Sequence, residues 1–115
     1  MKNFKKLIVW QRSMELAGEV SNIVALLPNS EKFTYRDQII RCSISIPSNI
    51  AEGSSRDSKK DFKRFLRIAL GSSFELETQL LLVQQNNIIH SDKLMFAHNL
   101  NEEVQKMIQT LMKRI

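Results

Sequence analysis

The fold of this chain is decided by residues 58–85, SKKDFKRFLRIALGSSFELETQLLLVQQ. Apolar or small side chains recur there in alternating steps of four and three residues, at Phe62, Leu66, Ala69, Ser73, Leu76, Leu80 and Val83. This spacing is a heptad repeat, which places these side chains along one stripe of an α-helix. Ser58 and Asp61 resemble a capping box at its start, with Asp in place of the usual Glu or Gln. The stretch therefore predicts one long amphipathic helix, about 40 Å in length at 1.5 Å per residue.

Three further periodic segments lie on either side of this one. The sequence predicts a single domain over residues 1–115, with helices at 9–27, 34–52, 58–85 and 92–114. The expected helix boundaries are a capping box at Thr34 and Asp37, a left-handed C-cap at Gly53, a turn at Asn86-Asn87 and an N-cap at Ser91. Short connections make consecutive helices antiparallel, so we expect an all-α fold, an up-and-down antiparallel four-helix bundle.

Composition agrees with a helical, intracellular protein. The 115 residues include three glycines and two prolines, too few turn formers for a β-rich fold. A single cysteine, Cys42, excludes an internal disulfide and fits a reducing compartment. The first ten residues lack the long apolar run of a secretory signal, and no stretch approaches a membrane span. We therefore expect a cytoplasmic protein that does not bind membranes.

The predicted third helix also carries apolar residues beside its main stripe. They lie on two flanks, with Phe65, Ile68 and Leu82 on one and Leu70, Phe74 and Leu81 on the other. A helix in a monomeric bundle needs one buried stripe of about 100°. Apolar residues on both flanks therefore indicate a second buried surface, as in a homo-oligomer. The alternative is one broad core stripe with a few exposed leucines.

Positive charge is concentrated at the start of the same helix. Residues 56–67 have a net charge of +4, out of +5 for the whole chain. The candidate phosphate contacts are Arg56, Lys59, Lys60, Lys63, Arg64 and Arg67. Such a stripe suits a phosphate backbone, but it is also the usual solvated face of an amphipathic helix, so both interpretations stay open. We expect no aromatic residue among these cations for base stacking, which argues against sequence-specific reading of single strands.

Other polar residues are interpreted as structural. Pro47 should kink the second helix, because it removes one backbone hydrogen bond. A polar network that fixes helix register is predicted for Arg41, Asn49, Ser72, Glu75 and Gln79, with Arg41 as the partner of Glu75.

No motif for catalysis or for cofactor binding is found in the sequence. His90 and His98 lack metal-ligand spacing, and Cys42 has no second cysteine. Arg41 beside Cys42 suggests a lowered thiol pKa, although a small buried hydrophobe is the commoner role of a lone cysteine. We expect no catalytic residues, no metal and no cofactor, hence no enzyme. The nuclease alternative would need an acidic residue such as Glu52.

A longer pattern joins several of these features, at Val9-Trp10-Gln11, Leu27-Pro28, Ser43 to Gly53, Arg64-Phe65-Leu66, Gly71-Ser72 and Glu75 to Leu80. This pattern resembles the 23S rRNA-intervening-sequence proteins, also called four-helix-bundle proteins. The resemblance implies a bacterial cytoplasmic bundle that assembles as a homopentamer. Relatives include the accessory variability protein of diversity-generating retroelements, whose basic surface is associated with nucleic-acid and reverse-transcriptase binding. Two positions depart from the family pattern, since family members often have Arg-Arg where Ile40-Arg41 stands here, and often a basic residue where Leu70 stands.

Two functions follow from these observations. We expect a non-catalytic oligomeric protein that binds RNA or DNA through the basic surface of its third helix. The alternative is a protein–protein interaction scaffold whose partner the sequence does not identify.

Overall fold

The computed structural model describes residues 3–115, which form a short 3-10 helix and four α-helices. The 3-10 helix spans Phe4–Lys6, and the α-helices are α1 (Ile8–Val24), α2 (Asn29–Ser54), α3 (Lys59–Gln85) and α4 (Ser91–Arg114). The predicted all-α class is confirmed. None of the helices in this part of the chain is both long enough and apolar enough to cross a bilayer.

The four helices pack as a closed ring. α1 contacts α2 and α4, and α3 contacts the same two helices from the other side. Every member of the predicted α3 stripe, from Phe62 to Val83, is buried. Fully buried side chains from the other helices belong to the same hydrophobic core, among them Leu16 of α1, Ile46 of α2 and Ile108 of α4. The heptad pattern of α3 thus forms one side of a core to which all four helices contribute.

α2 begins five residues earlier than the sequence predicted. Pro28 occupies the N-cap position with φ −60°, and the helix starts at Asn29. Thr34 and Asp37 therefore lie inside the helix, and the predicted capping box is wrong. The fixed φ of proline is compatible with the N-cap position, and its carbonyl accepts a hydrogen bond from the backbone N–H of Glu31 at 2.9 Å.

The predicted left-handed C-cap at Gly53 is also wrong. α2 continues to Ser54, and no glycine between residues 3 and 115 has a positive φ. A Cβ atom added to Gly53 would lie 2.6 Å from Phe65 Cβ and 3.0 Å from Phe62 Cδ1. Gly53 is therefore required by the close approach of α2 to α3 rather than by backbone conformation.

The remaining helix ends agree largely with the sequence. The backbone N–H of Asp61 donates to Ser58 Oγ at 3.1 Å, which confirms the N-cap of α3. Asn87 has φ 57°, so the predicted turn at Asn86-Asn87 contains a left-handed residue. The N-cap of α4 is His90 rather than Ser91, because the His90 side chain accepts from the backbone N–H of Asp92.

Candidate nucleic-acid interface

The predicted cationic residues lie together at one end of the bundle, called here the basic end, where α1 and α3 begin and α2 and α4 end. Arg56 lies in the loop before α3, and the other five lie within its first nine residues, Lys59 to Arg67. All are exposed except Lys63, which is half-buried. The cluster is therefore open to solvent along the first turns of α3.

Two of these cations are fixed by an aromatic ring. The guanidinium carbons of Arg56 and Arg64 lie 4.9 and 4.5 Å from the centroid of the Phe65 ring. Arg56 also pairs with Glu52 at 3.2 Å, and Arg64 pairs with Asp61 at 3.5 Å. An aromatic ring thus does lie among the cations, contrary to expectation. Because Phe65 is buried and both guanidiniums contact it, the ring stabilises the arginines rather than offering a free face to a base.

The other four cations, Lys59, Lys60, Lys63 and Arg67, form no ion pair with any residue in the range 3–115. Asp57 and Asp61 lie in the same stretch of sequence but do not pair with these four, and segment 56–67 keeps a net charge of +4. A surface of this kind has a positive potential that attracts polyanions.

Sequence reasoning missed the contribution of α4. Lys113 lines an open groove of about 330 Å³ together with Lys63 and Arg67 of α3. Arg114 instead lines a different groove of about 440 Å³ on the other side of α4, beside Leu7 and Leu111, and does not belong to this cluster. The signal was present in the sequence, since an antiparallel α4 must bring its last turn beside the first turns of α3.

The predicted polar network is only partly formed. Asn49 Nδ2 donates to the Ser45 carbonyl at 2.8 Å and to Ser45 Oγ at 3.0 Å. Ser45 Oγ in turn hydrogen-bonds with Ser72 Oγ at 2.8 Å, which links α2 to α3. These bonds lie close to Pro47 in the sequence of α2. They connect Asn49 and Ser72, both in the predicted network, through Ser45, which was not predicted to belong to it.

The predicted pairing of Arg41 with Glu75 is wrong. Arg41 Nη2 donates to Gln38 Oε1 at 2.6 Å, one turn earlier on its own helix. Glu75 instead accepts from Gln79 Nε2 at 3.4 Å, also within one helix. Both charged groups are exposed, so neither needs a buried partner.

A buried polar pair lies elsewhere, between α3 and α4. Ser73 Oγ donates to Asn101 Oδ1 at 2.5 Å, and Asn101 Nδ2 donates to the Ser73 carbonyl at 3.1 Å. Both residues are at most 1% exposed. The sequence contained a signal for this pair, because Ser73 and Asn101 are polar residues at core positions of two neighbouring helices.

Burial determines the protonation of the Cys42 thiol. Burial of Cys42, assisted by the negative charge of Glu75, raises its pKa to about 11. The thiol is therefore protonated at neutral pH, and the suggestion of a lowered pKa is wrong. Within residues 3–115, no three His, Cys, Asp or Glu side chains converge in a way that would hold a metal ion.

The family model for the 23S rRNA-intervening sequence protein matches residues 5–110. The chain belongs to this family. The crystal structure of a protein of unknown function from the S23 ribosomal protein family of Bacteroides thetaiotaomicron is similar, with a TM-score of 0.85. Its sequence is 31% identical, and the match covers 91% of this chain and 98% of that one. A search of the curated proteins gives no match.

Membership of the 23S rRNA-intervening sequence protein family confirms the resemblance drawn from the residues. The match to the solved structure covers almost all of both chains, so it confirms the four-helix bundle as well. The family description refers to an insertion in ribosomal RNA and names no activity. Function must therefore be argued from the surface of this chain.

Proposed function

We propose that this protein is a non-catalytic, homo-oligomeric bundle in the cytoplasm that binds RNA or DNA through the basic surface at the start of α3. The observation that supports this most strongly is a set of four clustered cations that form no ion pair within residues 3–115, namely Lys59, Lys60, Lys63 and Arg67. Phosphate groups of a nucleic acid would neutralise these charges and release bound counterions.

Helix stability offers no explanation for two of these residues. Lys59 and Lys60 are the first two residues of α3, where the helix dipole disfavours positive charge. If this helix face were only solvated, acidic or neutral residues at these two positions would give a more stable helix. Their placement therefore favours the phosphate-binding interpretation over simple solvation.

The binding test removes three of these cations. We expect the triple variant Lys59→Gln, Lys60→Gln, Lys63→Gln to bind nucleic acid about tenfold more weakly or worse at moderate salt, since three phosphate contacts are lost. In fluorescence anisotropy with labelled RNA and DNA, the slope of log affinity against log salt should become shallower by about 2 to 3.

The control variant has the same net charge but a different location. Lys32→Gln, Arg36→Gln, Lys93→Gln removes three cations from the opposite end, where α2 and α4 begin. It should retain the affinity and salt slope of the wild type. Equal weakening by both triple variants, or no weakening by the α3 variant, would contradict the proposal.

Self-association is supported by the outer faces of α3. Of the six predicted flank residues, Ile68, Phe74, Leu81 and Leu82 are between 41% and 46% exposed. The other two, Phe65 and Leu70, are buried and half-buried within the bundle and are not part of the proposed interface. Such exposed apolar residues on one helix favour burial against a second copy of the chain. The resemblance to the family adds the homopentamer as the expected assembly.

The mass in solution tests the assembly. Light scattering should give about five times the 13.4 kDa chain mass for a homopentamer. The variant Phe74→Glu, Leu81→Glu should reduce that mass, because it places two carboxylates in the proposed interface. Circular dichroism should show unchanged helix content in the variant. A monomeric wild type would refute self-association.

A protein-interaction scaffold remains the second candidate because of the opposite end of the bundle. Leu26, Phe33, Met95 and Phe96 are each at least 52% exposed there, far from the basic end. A protein that stays bound after nuclease treatment, and is released by Phe33→Ser, would favour the scaffold over nucleic-acid binding.

A further inference from the structure

We infer that the groove between α3 and α4 at the basic end holds one unpaired strand of nucleic acid, with its phosphates on Lys63, Arg67 and Lys113. This inference rests on the proposed function and extends it to a second helix and to one form of ligand. The groove is open, encloses about 330 Å³, and is lined also by Leu70, Gln109 and Met112.

The charge around this groove has one sign only. The adjacent segments 62–74 of α3 and 104–115 of α4 contain no acidic residue. Asp61, just before the α3 segment, contacts Arg64 at 3.5 Å, and Glu102, shortly before the α4 segment, contacts Lys106 at 3.1 Å. Glu103 likewise contacts Arg12 of α1 at 3.3 Å. Glu75 follows the α3 segment, about two helical turns beyond Arg67 and farther from the basic end. Lys63, Arg67 and Lys113 form no ion pair within residues 3–115, so their charges repel one another and a bound phosphodiester would relieve that repulsion.

The lining distinguishes a single strand from a duplex. Leu70 and Met112 are half-buried apolar side chains that lie among the cations rather than outside them. A duplex presents phosphates and sugars on its outside and keeps the base faces stacked within. An unpaired strand can place a base or sugar face on the apolar lining while its phosphates reach the cations. Gln109 adds an amide that can both donate and accept hydrogen bonds.

Recognition of this kind would not depend on sequence. No aromatic residue lines the groove, and its lining offers apolar contact and one amide rather than a set of donors matched to a base edge. The ligand class is thus single-stranded RNA or DNA of any sequence, held by charge and by apolar contact.

Lys113 and Arg114 provide a matched pair of variants. Both are basic, both lie in the last turn of α4, and both are favoured there by the helix dipole. Only Lys113 lines the α3–α4 groove, whereas Arg114 lines the groove beside Leu7. Loss of net charge or of dipole stabilisation would affect the two variants alike. A difference in affinity between them therefore measures the contribution of the α3–α4 groove.

The experiment measures the affinity of Lys113→Gln and Arg114→Gln for oligo(dT), for oligo(U) and for a duplex, each of about twenty nucleotides. Lys113→Gln should weaken binding to the single strands about fivefold at about 0.1 M salt and reduce the salt slope by about 0.7, as expected for one lost phosphate contact. Arg114→Gln should stay within about twofold of the wild type. Met112→Glu, which places a carboxylate in the lining, should weaken single-strand binding further.

The outcomes separate this inference from the proposed function. Equal effects of Lys113→Gln and Arg114→Gln would overturn the assignment of the α3–α4 groove as the binding site. Weakened binding by the α3 triple variant would still support the proposed function in that case. Equal loss for duplex and single strands would overturn the single-strand assignment. A wild type that binds none of the three probes would overturn the proposed function and the groove together.

Discussion

Gly53→Ala is expected to destabilise the protein by about 2–3 kcal/mol, at the upper end of what overpacking of a single methyl group costs. The added Cβ would meet Phe65 Cβ at 2.6 Å and Phe62 Cδ1 at 3.0 Å. Phe65 Cβ is anchored to the α3 backbone, so it cannot turn away as the tip of a flexible side chain would. The two helices must therefore separate locally, which weakens packing on both sides of the contact.

Chemical unfolding followed by circular dichroism measures this effect, at one fixed protein concentration because oligomerisation shifts apparent stability. Gly18→Ala is the matched control. Gly18 also lies within a helix, but a Cβ there meets nothing within 4 Å. That variant should be stabilised by about 0.5–1 kcal/mol, because alanine is a better helix former than glycine. A Gly53→Ala protein as stable as Gly18→Ala would show that α2 and α3 are not so closely packed.

Asn101→Ala is expected to cost about 2–3 kcal/mol of unfolding free energy. The substitution removes the acceptor for Ser73 Oγ and the donor to the Ser73 carbonyl, both in the interior. A buried polar group left without its partner costs about 1–3 kcal/mol, and the lost side-chain volume adds to this.

Asn99→Ala provides the control, because Asn99 is an exposed asparagine two residues earlier on the same helix. Its stability should lie within about 0.5 kcal/mol of the wild type. The double variant Ser73→Ala, Asn101→Ala completes a thermodynamic cycle, and a coupling of about 1 kcal/mol or more is expected. Additive single effects would mean that the two residues do not stabilise each other.

The helices were predictable because their pattern is local, whereas two of the predicted boundaries were assigned from residues that do not end or begin a helix. The stripe from Phe62 to Val83 identifies α3 from spacing alone. Gly53 was assigned to a cap because glycine commonly ends helices, but its role comes from its contact with Phe65 on the neighbouring helix. The start of α2 was placed too late because Thr34 and Asp37 imitate a cap that Pro28 makes unnecessary.

Part of the candidate site was predictable from the sequence and part was not. The cations between residues 56 and 67 form a dense run in the sequence, so their grouping was predictable. Lys113 lies beside Lys63 because α4 packs antiparallel to α3. To predict this from the sequence, one would have to work out which residues of the two helices lie side by side. The ion pairs that fix Arg56 and Arg64 depend on side-chain positions, which no spacing rule supplies.

The ring of helix contacts has a consequence for how the chain folds. Three of its four interfaces join helices that are consecutive in sequence, and only the α1–α4 interface brings distant segments together. Such a topology has low contact order, and low contact order is associated with folding in microseconds to milliseconds. Each helical hairpin closes a short loop, so assembly can begin at any of the three turns. The α1–α4 interface closes the longest loop and carries the largest entropic cost, which makes it the natural final step of folding.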